Sequence, residues 1–200
     1  SVLFGQLYIM PIMTAFLDLH PQVTGRMLLL DRVVNLVDEG VDVAIRIGHL
    51  PDSSLRAIRV GSVRRVICAA PEYLAARGVP RVPADLTHHR IIATTSAWSS
   101  LEWRFGRDGE TAVQVKPALF CNANEAVIAA ARAGWGLTRA LSYQIGPDLA
   151  AGTLQIVLEE FEQEPLPVHI LHPEGRHAPA KVRAFVDFAR ERLKANPVIN

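Results

Sequence analysis

The stretch from Glu39 to Gly48, EGVDVAIRIG, limits the fold more than any other part of this chain. Val43, Ala44, Ile45 and Ile47 form an almost continuous apolar run. Such a run suits a strand buried on both faces, as in a parallel sheet covered by helices. Ahead of it, Leu36, Val37, Asp38 and Glu39 read as the last turn of a helix, and Gly40 stands where a helix C-cap glycine would stand. Helix, glycine stop and buried strand together point to an α/β fold. In open α/β sheets, ligands bind outside the carboxyl ends of strands. Gly48 closes this strand, and a glycine there lets backbone or ligand come close.

The chain has 200 residues, half of them hydrophobic, enough for one large or two small domains. Its formal net charge of +1 gives no basic surface for a phosphate backbone, so the chain is not expected to hold nucleic acid by itself. Cys68 and Cys121 each lie in an apolar, strand-like run and read as buried, reduced thiols. No apolar run of transmembrane length and no signal-peptide pattern are read.

Along the chain, 7–19 reads as a helix, 23–30 as a strand, 32–39 as a helix capped by Asp31, and 41–47 as a strand. Further strands are expected on both sides of Gly61-Ser62, at 90–95, 117–121, in GTLQIVL and in LPVHILH, with a hairpin around Asp108-Gly109. PEYLAARG has proline at the first helical position and glycine after the last. The stretch 125–133 reads as a helix with Asn124 as N-cap, and 178–193 as a helix burying Val182, Phe185, Val186, Ala189 and Leu193.

The order and spacing of these pieces resemble one family. The marks are EGVDVAIRIG, the strand-helix pair RRVICAAPEYLAARG, PADL before a strand, and CNANEAVIAAARAGWGL with its Gly-x-Gly end. Together they are similar to the regulatory domain of LysR-type transcriptional regulators, over essentially the whole chain. The resemblance implies a two-lobed α/β fold like type II periplasmic binding proteins, with two crossing segments and a small effector in the cleft between lobes. Mapped here, lobe I is 1–48 plus 170–200 and lobe II is 49–169. The family's helix-turn-helix domain lies upstream and is not in these residues. A first strand is also expected before Ser1, so its absence should leave a gap in the lobe I sheet. GLTRALSYQIG departs from the family's commoner proline-containing stretch.

The chain carries no Gly-x-Ser-x-Gly elbow and no phosphate-binding glycine loop, so no enzyme is expected. His169 and His172 lie three apart on a strand and point to opposite faces, and His88-His89 sits in a loop. These make poor chelates, and neither a metal nor a cofactor is expected. The effector-site candidates are Ser1, Val2, Gly48, His49, Thr95, Ser96, Trp98 and Asn122. Ser1 and Val2 stand where free helix N–H groups favour an anion. Hydroxyls at a strand's carboxyl end beside a tryptophan suit a small organic acid, although Thr95 and Ser96 could simply terminate the strand and Trp98 pack in the core.

The helix 7–19 has too many apolar residues for one buried face. The small residues of 125–133 would let another helix approach. The resemblance implies an antiparallel, two-fold pairing of these helices. Met10, Ile12, Met13, Phe16 and Leu17 are expected to meet the partner's Ala126, Ala129, Ala130 and Ala133. The expected partners are therefore a small-molecule effector and a second copy of the chain, with a tetramer open to the full-length protein. DNA would be bound only through the upstream domain, no membrane is involved, and the setting is cytoplasmic. A periplasmic solute-binding protein of the same fold is the alternative, and an enzyme on this scaffold the remoter one.

Overall fold

The computed structural model describes residues 1–32, 34, 36, 38–50, 55–95, 100–173 and 179–199. They form two compact units, Ser1–Val63 with Leu166–Asn200 and Arg64–Pro165. The chain therefore passes between units at Val63–Arg64 and Pro165–Leu166, not at 48–49 and 169–170. After Gly48 it makes one more strand in the first unit, and LPVHIL belongs wholly to that unit.

The first unit opens with helix α1, Val2–Leu19. It starts at Val2 rather than Leu7 and is π-helical over Gly5–Ile9. Pro11 cannot donate to the carbonyl one turn back, and the wider winding lies in the turn ahead of it. Phe4, Ile9, Ile12 and Phe16 face inward. By length and composition α1 is apolar enough to cross a membrane, which the reading of 7–19 alone did not register.

Strands β1 (Ala44–Ile47) and β2 (Leu55–Val63) flank β10 (Leu166–Pro173) in a three-stranded antiparallel sheet. β1 is thus an edge strand with an antiparallel neighbour, half-buried along its length, and not the doubly buried parallel strand its apolar run suggested. The final helix α5, Ala180–Lys194, buries Val182, Phe185, Val186, Ala189 and Leu193, the face read from its periodicity.

One other expectation fails here. Residues 23–30 join no ladder. A strand needs a neighbour for its N–H and C=O groups, and this segment packs on α1 instead, with Leu29 against Gly5 and Gly25 against Met13. Asp31, the expected cap of 32–39, has a partner on α1. Its carboxylate accepts the Val2 N–H at 3.0 Å, at the start of α1. Residues 33, 35 and 37 of the expected helix 32–39 lie outside the described residues. Its described residues form bend and turn rather than helix; Gly40, with φ 62°, sits in a turn where the Val41 N–H reaches back to the Leu36 carbonyl at 2.9 Å.

The second unit contains β3 (Arg65–Ala69), α2 (Pro71–Arg77), β4 (Ile91–Thr94), the hairpin β5 (Glu102–Phe105) and β6 (Thr111–Gln114), and β7 (Pro117–Cys121). There follow α3 (Asn124–Arg132), β8 (Leu137–Leu141), α4 (Gly146–Ala151) and β9 (Gln155–Val157). Its main sheet runs β7-β4-β8-β3-β9, with β7, β4 and β8 parallel and the remaining pairs antiparallel. β8 was missed in GLTRAL, because Thr138 and Arg139 interrupt the apolar pattern. Thr138 is buried, and its hydroxyl donates to the Ile92 carbonyl at 3.0 Å. Asn124 is the first helical residue of α3, not its N-cap, which is Ala123. Arg132 and Asp148 form a bidentate pair, with Thr153 also donating to the carboxylate, and this pins α3 to α4.

Candidate functional site

The parallel strands of the second unit all end on one side. Thr94 of β4 is level with Cys121 of β7, so Thr95 and Asn122 stand together at adjacent carboxyl ends. Both are exposed, and the Thr95 N–H is held by the Cys121 carbonyl at 2.8 Å. β8 delivers Ser142 to the same side, with its hydroxyl accepting the Arg64 N–H at 3.1 Å. Ser142 was overlooked together with its strand. Ser96 and Trp98 lie outside the described residues. Cys121 is only partly buried on the edge strand β7, so its reading as a core thiol is corrected. Cys68 is buried, and desolvation pushes its thiol up to about 12, with the charge of Asp148 adding. It is no nucleophile at neutral pH.

In the first unit, Gly48 has φ 122°, a backbone that disfavours any side chain, and its N–H bonds to the Pro167 carbonyl at 2.8 Å. His49 beside it is exposed. Ser1 is exposed, but the anion at the start of α1 is the chain's own Asp31. The Val2 N–H is therefore already engaged.

A feature not read from the sequence lies on the same sheet. Arg46, His169 and Arg59 are register partners across β1, β10 and β2 and so share one face. The His169 Nδ1 is buried without a hydrogen-bond partner among the described residues. Burial, then the charges of Arg59 and His49, hold the His169 imidazole below its ordinary value of 6.5. The folded state thus binds this proton less readily than the unfolded chain. The neutral ring's stability is complete above pH ~6.5 and is lost as the pH falls through the lower folded value. Wild type should lose melting temperature faster below that pH than a His169→Asn variant. Parallel melting curves between pH 7.5 and 5 would show it. Identical slopes would leave the ring out of the balance.

The helix faces sort the expected pairing residues. Ile12 (7% exposed) and Phe16 (2%) are core residues of the first unit and are withdrawn from the pairing surface. Met10 is exposed, and Met13 and Leu17 are half-buried. On α3, Ala126, Ala129 and Ala133 are exposed and Ala130 half-buried. Leu119 and Phe120 on the edge strand β7, pointing to opposite faces of the sheet, are also exposed and had not been foreseen.

The sequence profile of the LysR substrate binding domain matches residues 1–194. The chain belongs to this family. The HTH-type transcriptional regulator PtxR of Pseudomonas aeruginosa is 32% identical over 197 residues, 97% of this chain and 62% of its own length. The probable HTH-type transcriptional regulator LtrA of Klebsiella pneumoniae is 31% identical, over 96% of this chain and 63% of its own. This LysR-family chain therefore spans a little under two thirds of the curated relatives it matches. Its fold is similar to that of CrgA, a LysR-type regulator from Neisseria meningitidis, with a TM-score of 0.82, 25% identity, and coverage of 95% of this chain and 65% of that one. The regulatory domain of CrgA alone matches with a TM-score of 0.81, 25% identity, and coverage of 95% and 94%. The family and the likeness to its regulatory domains confirm the periplasmic-binding-protein-like α/β architecture that the motifs implied.

Proposed function

We propose that this chain is the effector-sensing and pairing part of a LysR-type transcription factor, in which a small organic anion modulates the DNA binding of an upstream helix-turn-helix domain. The relatives supply the class: they are named as HTH-type transcriptional regulators. The observation that carries the effector reading is the pairing of Thr95 and Asn122 at adjacent carboxyl ends of parallel strands, where α/β sheets bind ligands. A hydroxyl and an amide there can hydrogen-bond a carboxylate and still leave room for an apolar body. Ser96 and Trp98 follow directly in sequence and belong to the same proposal. Ser1, Val2, Gly48 and His49 stay in it on the family resemblance alone.

A thermal-shift screen of aromatic and aliphatic carboxylates, followed by titration calorimetry of any hit, tests the reading. Asn122→Ala and Thr95→Val should each weaken the hit by about 1–3 kcal/mol, the worth of a hydrogen bond to a charged group. Arg77→Gln, on the distant α2, should leave it unchanged. If both strand-end variants bind as wild type, the placement fails; if no carboxylate binds, the ligand class fails.

We also propose that the domain pairs two-fold, α1 of one copy against α3 of the other. The exposed apolar side chains of α1 and the exposed alanine face of α3 support this.

A further inference from the structure

In the first unit, the residues after α5 form a short turn that reaches back to the sheet. The Asn196 N–H bonds to the Leu193 carbonyl at 3.1 Å, the Asn196 side chain accepts the Val198 N–H at 2.9 Å, and the Ile199 N–H returns to the Asn196 carbonyl at 3.3 Å. Pro197 and Val198 face solvent, while Ile199 is 1% exposed. The Ile199 carbonyl accepts the Ser62 N–H of β2 at 2.7 Å. A Cβ on residue 61 would overlap that carbonyl, so the glycine that stands there is what lets the turn dock.

The docking point coincides with a break in the ladder. β10 pairs Val168 with Gly61 and His169 with Arg59, which leaves Val60 as an extra residue, a β-bulge. Beyond the bulge only Gly61, Ser62 and Val63 remain of β2, opposite Val168, Pro167 and Leu166. Leu166, Val168 and Ile170 are buried and share one face of β10, so Gly61 and Val63 opposite them lie on the core face as well. Gly61 has no side chain to place there, and Ile199 fills the position it leaves. A strand end this short, cut off by a bulge, is held weakly by its ladder alone. The chain passes to the second unit directly after it, at Val63–Arg64. There the Arg64 N–H is held by the Ser142 hydroxyl at 3.1 Å, and the Arg64 carbonyl accepts the Ser142 N–H at 2.9 Å. The second unit's hold on the chain thus begins one residue after the first unit's hold ends.

We propose that the turn Asn196–Ile199 is a latch on the end of β2. Docked, it extends the first unit's grip on the chain as far as Val63. Released, it lets β2 fray back to the bulge at Val60 and so lengthens the stretch that crosses between the units. The latch has one buried side chain and one hydrogen bond to β2, which places its release among the local openings that precede global unfolding. Amide hydrogen exchange of the 200-residue chain, read by NMR, tests it. Ser62 reports docking, because its N–H bonds to the turn. Val63 reports the end of β2, because it makes its ladder pair with Leu166. Ile170, paired with Ile58 on the other side of the bulge, reports the rest of the sheet.

Gly61→Ala should speed exchange at Ser62 and Val63 roughly tenfold or more and leave Ile170 within about twofold of wild type. Deleting residues 196–200 should do the same. In the deleted chain, Gly61→Ala should then cost no further protection or melting temperature, because alanine is the better strand residue once the carbonyl it would meet is gone. If the deleted chain does not fold, Ile199→Ala takes its place in this double-mutant cycle. The latch is overturned if Ser62 speeds up while Val63 exchanges as in wild type, since the turn would then dock without holding the strand. It is overturned equally if Ile170 accelerates as much as Val63, which is loss of the whole sheet, or if Gly61→Ala costs the same with and without the turn.

Discussion

Phe16→Ala should destabilise the first unit by about 3–5 kcal/mol, the usual loss for a fully buried phenylalanine. Its ring is 2% exposed and meets Phe185 and Phe188 edge-on, at centroid distances of 5.3 and 5.5 Å. Such pairs add about 0.5–1.5 kcal/mol each beyond their buried area. The cavity left behind would sit between α1 and α5, the two helices whose register the ring sets. For a domain of this size the loss amounts to roughly 6–20 °C in melting temperature. Calorimetry at a fixed protein concentration would read it. The sequence suggested instead that Phe16 faces a partner subunit. In that case the alanine variant would keep the melting temperature of the isolated protomer and change only its association. A drop that persists at the lowest measurable concentration belongs to the core. A drop that vanishes on dilution belongs to an interface.

That misplacement shows what a sequence pattern can and cannot separate. The excess of apolar residues on α1 was legible, because counting needs no partner. Which of them face in was not, since nearly every position is apolar and the period carries little contrast. The last helix is the opposite case. Charged residues separate Val182, Phe185, Val186, Ala189 and Leu193, and all five are buried as read. Glycine signals transferred in part: Gly48 takes positive φ at the end of its strand as expected, and Gly40 takes it in a turn rather than after a helix. Long-range pairing did not transfer. Residues 23–30 have the composition of a strand but no neighbour in the sheet, and β8 hides behind a buried threonine that repays its burial with one hydrogen bond to Ile92.

The candidate site divides in the same way. Thr95 and Asn122 were found because each follows a recognisable strand, and strand ends are where α/β sheets meet ligands. That Arg46, His169 and Arg59 form one row was not read, because it joins residues far apart in sequence through the register of three strands. Charge clusters built across strands leave no local signature. A helix face or a strand terminus does.

The largest effect on assembly should come from Met10→Glu or Ala129→Glu. On α1 the outward side chains are Leu7 (45% exposed), Met10 (41%) and Leu19 (65%), while Ile12 and Phe16 are spent on the core. On α3 the exposed alanines Ala126, Ala129 and Ala133 stand on a helix held to α4 by Arg132 and Asp148, so that face is presented rigidly. If these surfaces meet in a two-fold pair, every substitution enters the interface twice. Burying an unpaired carboxylate costs several kcal/mol. With about 2–4 kcal/mol at each copy of the contact, the dimer should weaken by roughly three to six orders of magnitude. The variant should then be monomeric at concentrations where wild type is dimeric. Both positions are exposed in the protomer, so the melting temperature of the isolated protomer should stay nearly unchanged. Ile12→Asp makes the contrast: it places a charge in the core and should lose the fold together with the dimer. Light scattering from low to high micromolar protein, with circular dichroism on the same samples, decides among these outcomes. A monomeric wild type at high concentration, or a Met10→Glu variant that stays dimeric, would remove α1 from the pairing surface.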